Sequence, residues 1–175
     1  MKSESQLRDS IDRFRQVFWE KKSTGRPPVG VINSDIYMPV KYLRRSFLRG
    51  RIEPEDIRQD LIMTDYEFAF ARRPVNIDDW MPFAAPWRAI PWLEAWCGCP
   101  VNYSGGSFAP GHIYKSIEDL TNAPIPSSDK WFACLQDQTH YLLNTTPDDC
   151  WISPSILRGC SDVLAAMRGI EGFIT

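Results

Sequence analysis

Two adjacent aspartates, Asp78 and Asp79, lie in a long apolar stretch of this 175-residue chain. Between Asn76 and Tyr114 the sequence holds only four charged residues, and the aspartates are two of these four. Burial among aromatic side chains and mutual repulsion raise the pKa values of paired carboxylates. The pair therefore indicates a site for acid–base or charge-stabilising chemistry. The alternative is that one aspartate caps the following turn while the other faces solvent.

Hydrophobic spacing predicts the elements that position these aspartates. A capping box over 3–6 begins an N-terminal helix that runs to about Lys22. Three strands are predicted at 29–32, 75–77 and 150–153, each followed by helical sequence. Strands that alternate with helices favour parallel pairing with right-handed crossovers. The predicted class is therefore α/β, with about three parallel strands, helices and long βα loops.

The segments between the predicted strands carry their own signals. The stretch over 36–50 has partly helical character, and Pro54 opens a second helix. Ser104-Gly105-Gly106 predicts a loop or a hairpin over 100–111. Further predicted helices are a short one over 91–96, one turn at 117–120, one capped by Ser127 or Ser128, and a final one capped by Ser161 or Asp162 and stopped by Gly169.

Sites in parallel α/β folds lie at the carboxyl ends of the strands. In the predicted order, this rule places three groups of polar residues at one end of the sheet. They are Ser34 with Asp35, Asp78 with Asp79, and the segment from Ser153 to Arg158. Their convergence strengthens the functional interpretation of the aspartate pair.

Composition is typical of a globular protein with one domain over residues 1–175, at 43% hydrophobic and 24% charged residues. A net charge of −2 gives no electrostatic case for nucleic acid or an anionic membrane. Five cysteines, an odd number, favour reduced thiols in the cytoplasm over a disulfide framework. Cys97-Gly98-Cys99 is a weak metal or redox signal, and burial of two small apolar thiols is the alternative.

The run from Ile156 to Gly169 (Ile-Leu-Arg-Gly-Cys-Ser-Asp-Val-Leu-Ala-Ala-Met-Arg-Gly) resembles a signature of the uroporphyrinogen decarboxylase superfamily. Other pieces resemble the family in the same order along the chain. They are Arg26-Pro27-Pro28-Val29, Asp79 after the second strand, the segment from Glu94 to Val101, and Ile117-Glu118-Asp119-Leu120. The resemblance extends from about Phe14 to Phe173.

The resemblance implies a (β/α)8 barrel, of which this chain corresponds to about the N-terminal half. A partial barrel exposes strand edges and an apolar flank. We therefore expect the chain to form a homo-oligomer or to pair with a complementary half-barrel chain, and to be inactive alone. No cofactor is expected within this chain. The zinc ligands of the family's corrinoid-dependent methyltransferase branch lie in the C-terminal half, so zinc or corrinoid would come only with that half.

The chain departs from the decarboxylase pattern after the first strand. Tyr37-Met38-Pro39 is similar to a family tripeptide, but the two preceding arginines that hold substrate carboxylates correspond here to Ile32 and Ile36. No neighbouring residue in the sequence replaces these bidentate donors. Recognition of acetate side chains by an arginine pair is therefore not expected.

The resemblance also implies roles for the candidate residues. The Asp79 carboxylate would stabilise a cation on a protonated, pyrrole-like ring, and Asp78 would orient it or share a proton with it. Trp80 and Trp87 would exclude water from the site, or else pack beneath a loop. The remaining substrate-binding candidates are Ser34, Asp35, Tyr37, as a hydrogen-bond donor, and Arg158, for an anionic group.

Three functions follow from these observations. The first is a lyase that decarboxylates a tetrapyrrole-like or small carboxylated substrate by means of Asp79. The second is a subunit or fragment of a corrinoid-dependent methyltransferase, which the isoleucines at 32 and 36 favour. The third is a half barrel that acts as a binding or assembly module without catalysis.

Overall fold

The computed structural model describes residues 3–29, 40–45, 50–71, 79, 83–122, 129–148, 150–169 and 171. Within these ranges the chain is a mixed α/β structure with helices and two small sheets. The predicted α/β class is confirmed at this level. The described strands form no closed barrel, and the partial (β/α) barrel stays a prediction.

The described elements follow in chain order. The helices are α1 (Glu4–Phe14), α2 (Lys41–Arg45), α3 (Leu61–Ala71), α4 (Trp92–Trp96), α5 (Ile117–Asn122), α6 (Asp129–Thr145) and α7 (Cys160–Arg168). The strands are β1 (Gly50–Ile52), β2 (Phe83–Ala84), β3 (Val101–Ser104), β4 (Ser107–Pro110) and β5 (Trp151–Ile152). A π-helical turn spans Arg15–Trp19 and a 3-10 turn spans Pro54–Asp56.

The N-terminal helix begins with the predicted capping box. The Gln6 backbone N–H donates to Ser3 Oγ at 3.3 Å, and the Ser3 N–H donates to Gln6 Oε1 at 2.9 Å. These two bonds satisfy backbone donors that a helix start otherwise leaves open. The α-helix ends at Phe14, and the π-helical turn carries the helical region on to Trp19, short of the predicted end near Lys22.

The predicted helix opening at Pro54 is wrong. Pro54–Asp56 forms only a 3-10 turn, because Ile57 adopts an extended conformation and buries its side chain in the core. The α-helix begins afterwards, at Leu61. The final helix, α7, in contrast begins earlier than predicted, at Cys160 with Gly159 as its N-cap. It ends at Gly169 as expected.

The predicted hairpin is confirmed, and it belongs to a three-stranded antiparallel sheet. Gly105 and Gly106 form the turn between β3 and β4 with φ values of 59° and 81°. Positive φ at both positions is the reason a two-residue hairpin turn favours glycine. Strand β1, which the sequence patterns did not predict, pairs with the other edge of β3.

The second sheet is a parallel pair. Phe83 aligns with Trp151 and Ala84 with Ile152, and the Ser153 N–H donates to the Ala84 carbonyl at 2.8 Å. The predicted strand at 150–153 is therefore present as β5. Its observed partner is β2, which begins after Asp79. The predicted strand at 75–77 and most of the predicted strand at 29–32 lie outside the described residues.

The core is built around Trp87, which is fully buried just after β2. Its indole Nε1 donates to Asp65 Oδ2 at 3.2 Å, and its backbone N–H donates to Gln138 Oε1 at 3.2 Å. The Trp87 carbonyl accepts a bond of 2.8 Å from Trp92 Nε1. This single residue therefore links α3, α4 and α6 by hydrogen bonds inside an apolar core.

Asp65 joins α3 to the start of α2. Its carboxylate accepts the backbone N–H groups of Tyr42 at 2.6 Å and Leu43 at 3.1 Å, which lie in the first turn of α2. Burial raises the pKa of Asp65 above its usual value, although these N–H groups and the Trp87 indole favour the ionised form. The carboxylate thus accepts hydrogen bonds from two backbone N–H groups and one indole N–H.

We predict that Asp65→Ala lowers the free energy of unfolding by about 2–5 kcal/mol, because it leaves buried donors without an acceptor. Urea unfolding followed by circular dichroism measures the change. Asp60→Ala is the control, since Asp60 is an exposed carboxylate and its loss costs no more than about 0.5 kcal/mol. Equal effects of the two substitutions would contradict the role of Asp65 as a hydrogen-bond acceptor for the first turn of α2.

Candidate functional site

Asp79 is buried, at 4% exposed, and four hydrogen bonds hold its carboxylate. Arg26 donates to both oxygens, at 2.5 Å to Oδ2 and 2.9 Å to Oδ1. Arg13 Nε donates to Oδ1 at 3.0 Å, and the Val29 N–H donates to Oδ2 at 3.0 Å. We call Asp79, Arg13 and Arg26 the Asp79 cluster.

Two N-terminal segments bring the arginines to Asp79. Arg13 lies in the last turn of α1, and Arg26 lies in the segment that follows the π-helical turn. The Asp79 N–H donates to the Val29 carbonyl at 2.6 Å, so backbone and side chain of Asp79 both hold this segment. The cluster therefore fastens the N-terminal region to the rest of the chain.

The arginines decide the charge state of Asp79. Burial by itself raises the pKa of this carboxyl, but the hydrogen bonds from Arg26 and Val29 and the charges of Arg26 and Arg13 outweigh burial. The pKa of Asp79 is therefore lowered, and the group is ionised at neutral pH. It cannot serve as a general acid there, but it can act as a fixed negative charge.

Two arginines that are distant in the sequence lie beside Asp79 in the structure. Arg13 and Arg26 are 66 and 53 residues from Asp79 in sequence, yet both bind its carboxylate. Their side chains are 25% and 50% exposed, so each keeps donor groups toward solvent. Sequence reasoning missed them because no local pattern joins residues so far apart.

Most of the other predicted site residues lie outside the described ranges. These are Ser34, Asp35, Tyr37, Asp78 and Trp80. Trp87 lies in the core, where its polar atoms bond to Asp65, Gln138 and Trp92, and contact with a substrate stays a prediction. The structure does not join Arg158 to Asp79 by a hydrogen bond or ion pair; Arg158 instead pairs with Glu94.

A second polar group lies where the parallel strands end. Arg88 Nη2 donates to Ser153 Oγ at 3.2 Å, which links the residues that follow β2 and β5. Tyr66 fixes this end of β2, because its hydroxyl donates to the Ala85 carbonyl at 2.9 Å and accepts the Ala85 N–H at 2.8 Å. Arg88 and Glu94 are the other two charged residues of the apolar stretch. The small number of charged residues there was the sequence feature that could have identified them as candidates.

Within the described ranges the cysteines form no metal site with other ligands. All five thiols are free, and burial raises the pKa of Cys97 and brings that of Cys99 to about 12. Both thiols therefore stay protonated at neutral pH. In the described part of the chain, no three His, Cys, Asp or Glu side chains gather closely enough to hold a metal ion.

No helix in the described ranges is both long and apolar enough to cross a membrane. No protein-family model, curated protein or solved structure matches this chain. The resemblance to the uroporphyrinogen decarboxylase superfamily therefore rests on the sequence motifs alone.

We predict that Asp79→Asn lowers the free energy of unfolding at pH 7 by about 1–3 kcal/mol, because two arginines lose their anionic partner. Because the folded pKa is lowered, the stabilisation is present above the unfolded pKa of about 3.9 and disappears as pH falls through the folded pKa.

Urea unfolding of the wild type and Asp79→Asn at pH 7 and pH 3 tests this linkage. The difference between the two proteins should shrink at pH 3. Asp60→Asn is the matched control, since Asp60 is also held by an arginine, with a lowered pKa, but is exposed. A difference for Asp79→Asn that does not change with pH would contradict the assigned charge state.

Proposed function

We propose that this chain belongs to a uroporphyrinogen-decarboxylase-like lyase that removes CO2 from a tetrapyrrole-like or small carboxylated substrate. The observation that carries the proposal is the buried Asp79 carboxylate, held ionised by Arg13 and Arg26. The motif over Ile156–Gly169 supports the same family. Both the family resemblance and the ion pairs of Asp79 support a role for this residue.

Asp79 would act through its charge. Loss of CO2 leaves an electron pair that a protonated, pyrrole-like ring can accept, and a nearby carboxylate stabilises that cationic ring. A lowered pKa keeps Asp79 ionised throughout, so the proton on the ring comes from another donor or from solvent. Its four donors hold the carboxylate in place before the substrate binds, which limits reorganisation during the reaction.

The arginines would bind the substrate's carboxylates. With two guanidinium groups and one carboxylate, the Asp79 cluster carries a net positive charge. Asp79 fixes the orientation of each guanidinium, and the solvent-facing donors of Arg26 suit a planar carboxylate. In this proposal Arg13 and Arg26 replace the pair that the family resemblance places at positions 32 and 36.

Methyl transfer is the second candidate. The isoleucines at 32 and 36 favour it, because that branch does not need the decarboxylase arginine pair. It would require a zinc site supplied by another part of the assembly. Transfer of a methyl group from methylcobalamin to a thiol is the assay that distinguishes it from CO2 release.

Association is part of the proposal. Strand β5 pairs on one side with β2, and its side chains Trp151 and Ile152 are 48% and 37% exposed. Leu157, in the loop after β5, is also exposed. Among the described strands β5 has β2 as its single partner, and an apolar edge strand supports pairing with a second copy or with a complementary half barrel.

We predict that Arg26→Lys weakens binding of a porphyrin tetracarboxylate by about tenfold, because lysine cannot form the bidentate contact. Isothermal titration at constant ionic strength measures the affinity, and CO2 release from uroporphyrinogen measures turnover in any active assembly. Arg58→Lys is the matched control, since Arg58 also binds a carboxylate, that of Asp60, at an exposed position. Unchanged binding and turnover in Arg26→Lys would overturn the proposed substrate site.

We predict that the protein self-associates and that Trp151→Lys shifts it toward the monomer, because a charge on the edge strand opposes strand pairing. Light scattering on a sizing column measures the mass. Trp19→Lys is the control, since Trp19 is 84% exposed at a distant position in the sequence. A wild-type monomer with a well-dispersed NMR spectrum would exclude association through β5.

A further inference from the structure

Glu94 is a buried carboxylate whose hydrogen-bonding capacity is unused among the described residues. It lies in the middle of α4 and is 1% exposed. Neither Oε1 nor Oε2 accepts a hydrogen bond from the described part of the chain. An isolated ionised carboxylate in such a place costs several kcal/mol, so its charge needs a compensating partner.

Arg158 is that partner. Its Nη1 lies 3.1 Å from Glu94 Oε1, close enough for an ion pair, although the angles are not those of a hydrogen bond. The two side chains differ sharply in exposure, at 1% for Glu94 and 45% for Arg158. The pair therefore has its negative end inside the protein and its positive end at the surface.

Packing between the α4 region and α7 holds the backbone next to this pair in place. Leu93 and Cys97, on the same helical region as Glu94, pack against Val163 and Met167 of α7. Arg158 lies in the loop between β5 and α7, just before that helix begins. Helix α4 follows β2, so the two members of the pair come from the segments after the two parallel strands, where ligands bind in α/β folds.

An ion pair with one buried member is a poor means of stabilising a fold, because well-packed apolar side chains of the same volume are often as stable or more stable. Guanidinium groups have five N–H donors, and the Arg158 side chain is 45% exposed. The donors at its exposed end match the oxygens of a carboxylate or phosphate. This arrangement suits recognition of an anion better than it suits stability.

We propose that Arg158 binds an anionic group, a carboxylate or a phosphate, and that Glu94 is the positioning residue that holds its guanidinium in the binding orientation. Its two residues follow β2 and β5 along the chain. The site shares no residue with the Asp79 cluster, and the inference does not depend on decarboxylation. Within the proposed function it would hold a second anionic group of the substrate.

Titrations of the full chain with inorganic phosphate and with malonate, at constant ionic strength, test the proposal. We expect both Arg158→Lys and Glu94→Gln to weaken binding of the preferred anion by about tenfold. Arg51→Lys is the matched control, because Arg51 forms an exposed ion pair with Glu53. Glu94→Gln removes a negative charge, so tighter binding in this variant would show that Glu94 does not position Arg158 and would overturn its role. Unchanged binding in Arg158→Lys would overturn the site.

Two further variants separate this site from the Asp79 cluster and from a purely structural role. An affinity for phosphate that falls in Arg26→Lys but is unchanged in Arg158→Lys would assign the anion to the Asp79 cluster instead. The double substitution Glu94→Leu with Arg158→Met should unfold at the same or higher urea concentration than the wild type while losing anion binding. A large loss of stability would show that the pair serves the fold.

Discussion

The hydrogen bonds of Trp87 organise the described part of this protein. Its indole and backbone reach Asp65 and Gln138, and Asp65 in turn holds the first turn of α2. These polar contacts lie within an apolar core, where an unsatisfied donor costs more than a satisfied one contributes. The arrangement therefore fixes the positions of α2, α3 and α6 around the end of β2.

Three buried carboxylates illustrate how environment separates roles. Asp65 serves backbone and indole donors inside the core, and burial raises its pKa. Asp79 faces two arginines, which lower its pKa. Glu94 accepts no hydrogen bond from the described residues, and within the same ranges it forms an ion pair with Arg158. Asp65 therefore serves as a structural hydrogen-bond acceptor, and Asp79 serves as a permanent negative charge. Glu94 positions the cationic side chain of Arg158 at the surface.

Local patterns predicted the features that short-range physics controls. The capping box at Ser3 depends on bonds across three residues, and the glycine turn at 105–106 depends on positive φ. The break after Pro54 was missed, because burial of Ile57 overrides the helical signal of the sequence. Strand β1 was missed as well, since three residues that pair with a distant hairpin leave no periodic pattern.

The sequence by itself determined the α/β class, most of the helices, and the apolar stretch with its few charged residues. Only the tertiary structure decided which charges meet. Arg13 and Arg26 come to Asp79, and Arg158 comes to Glu94, across separations that no local spacing encodes. The physical reason is that periodicity reports which face of an element is buried, whereas ion pairing depends on how distant elements pack and on how much water their packing excludes.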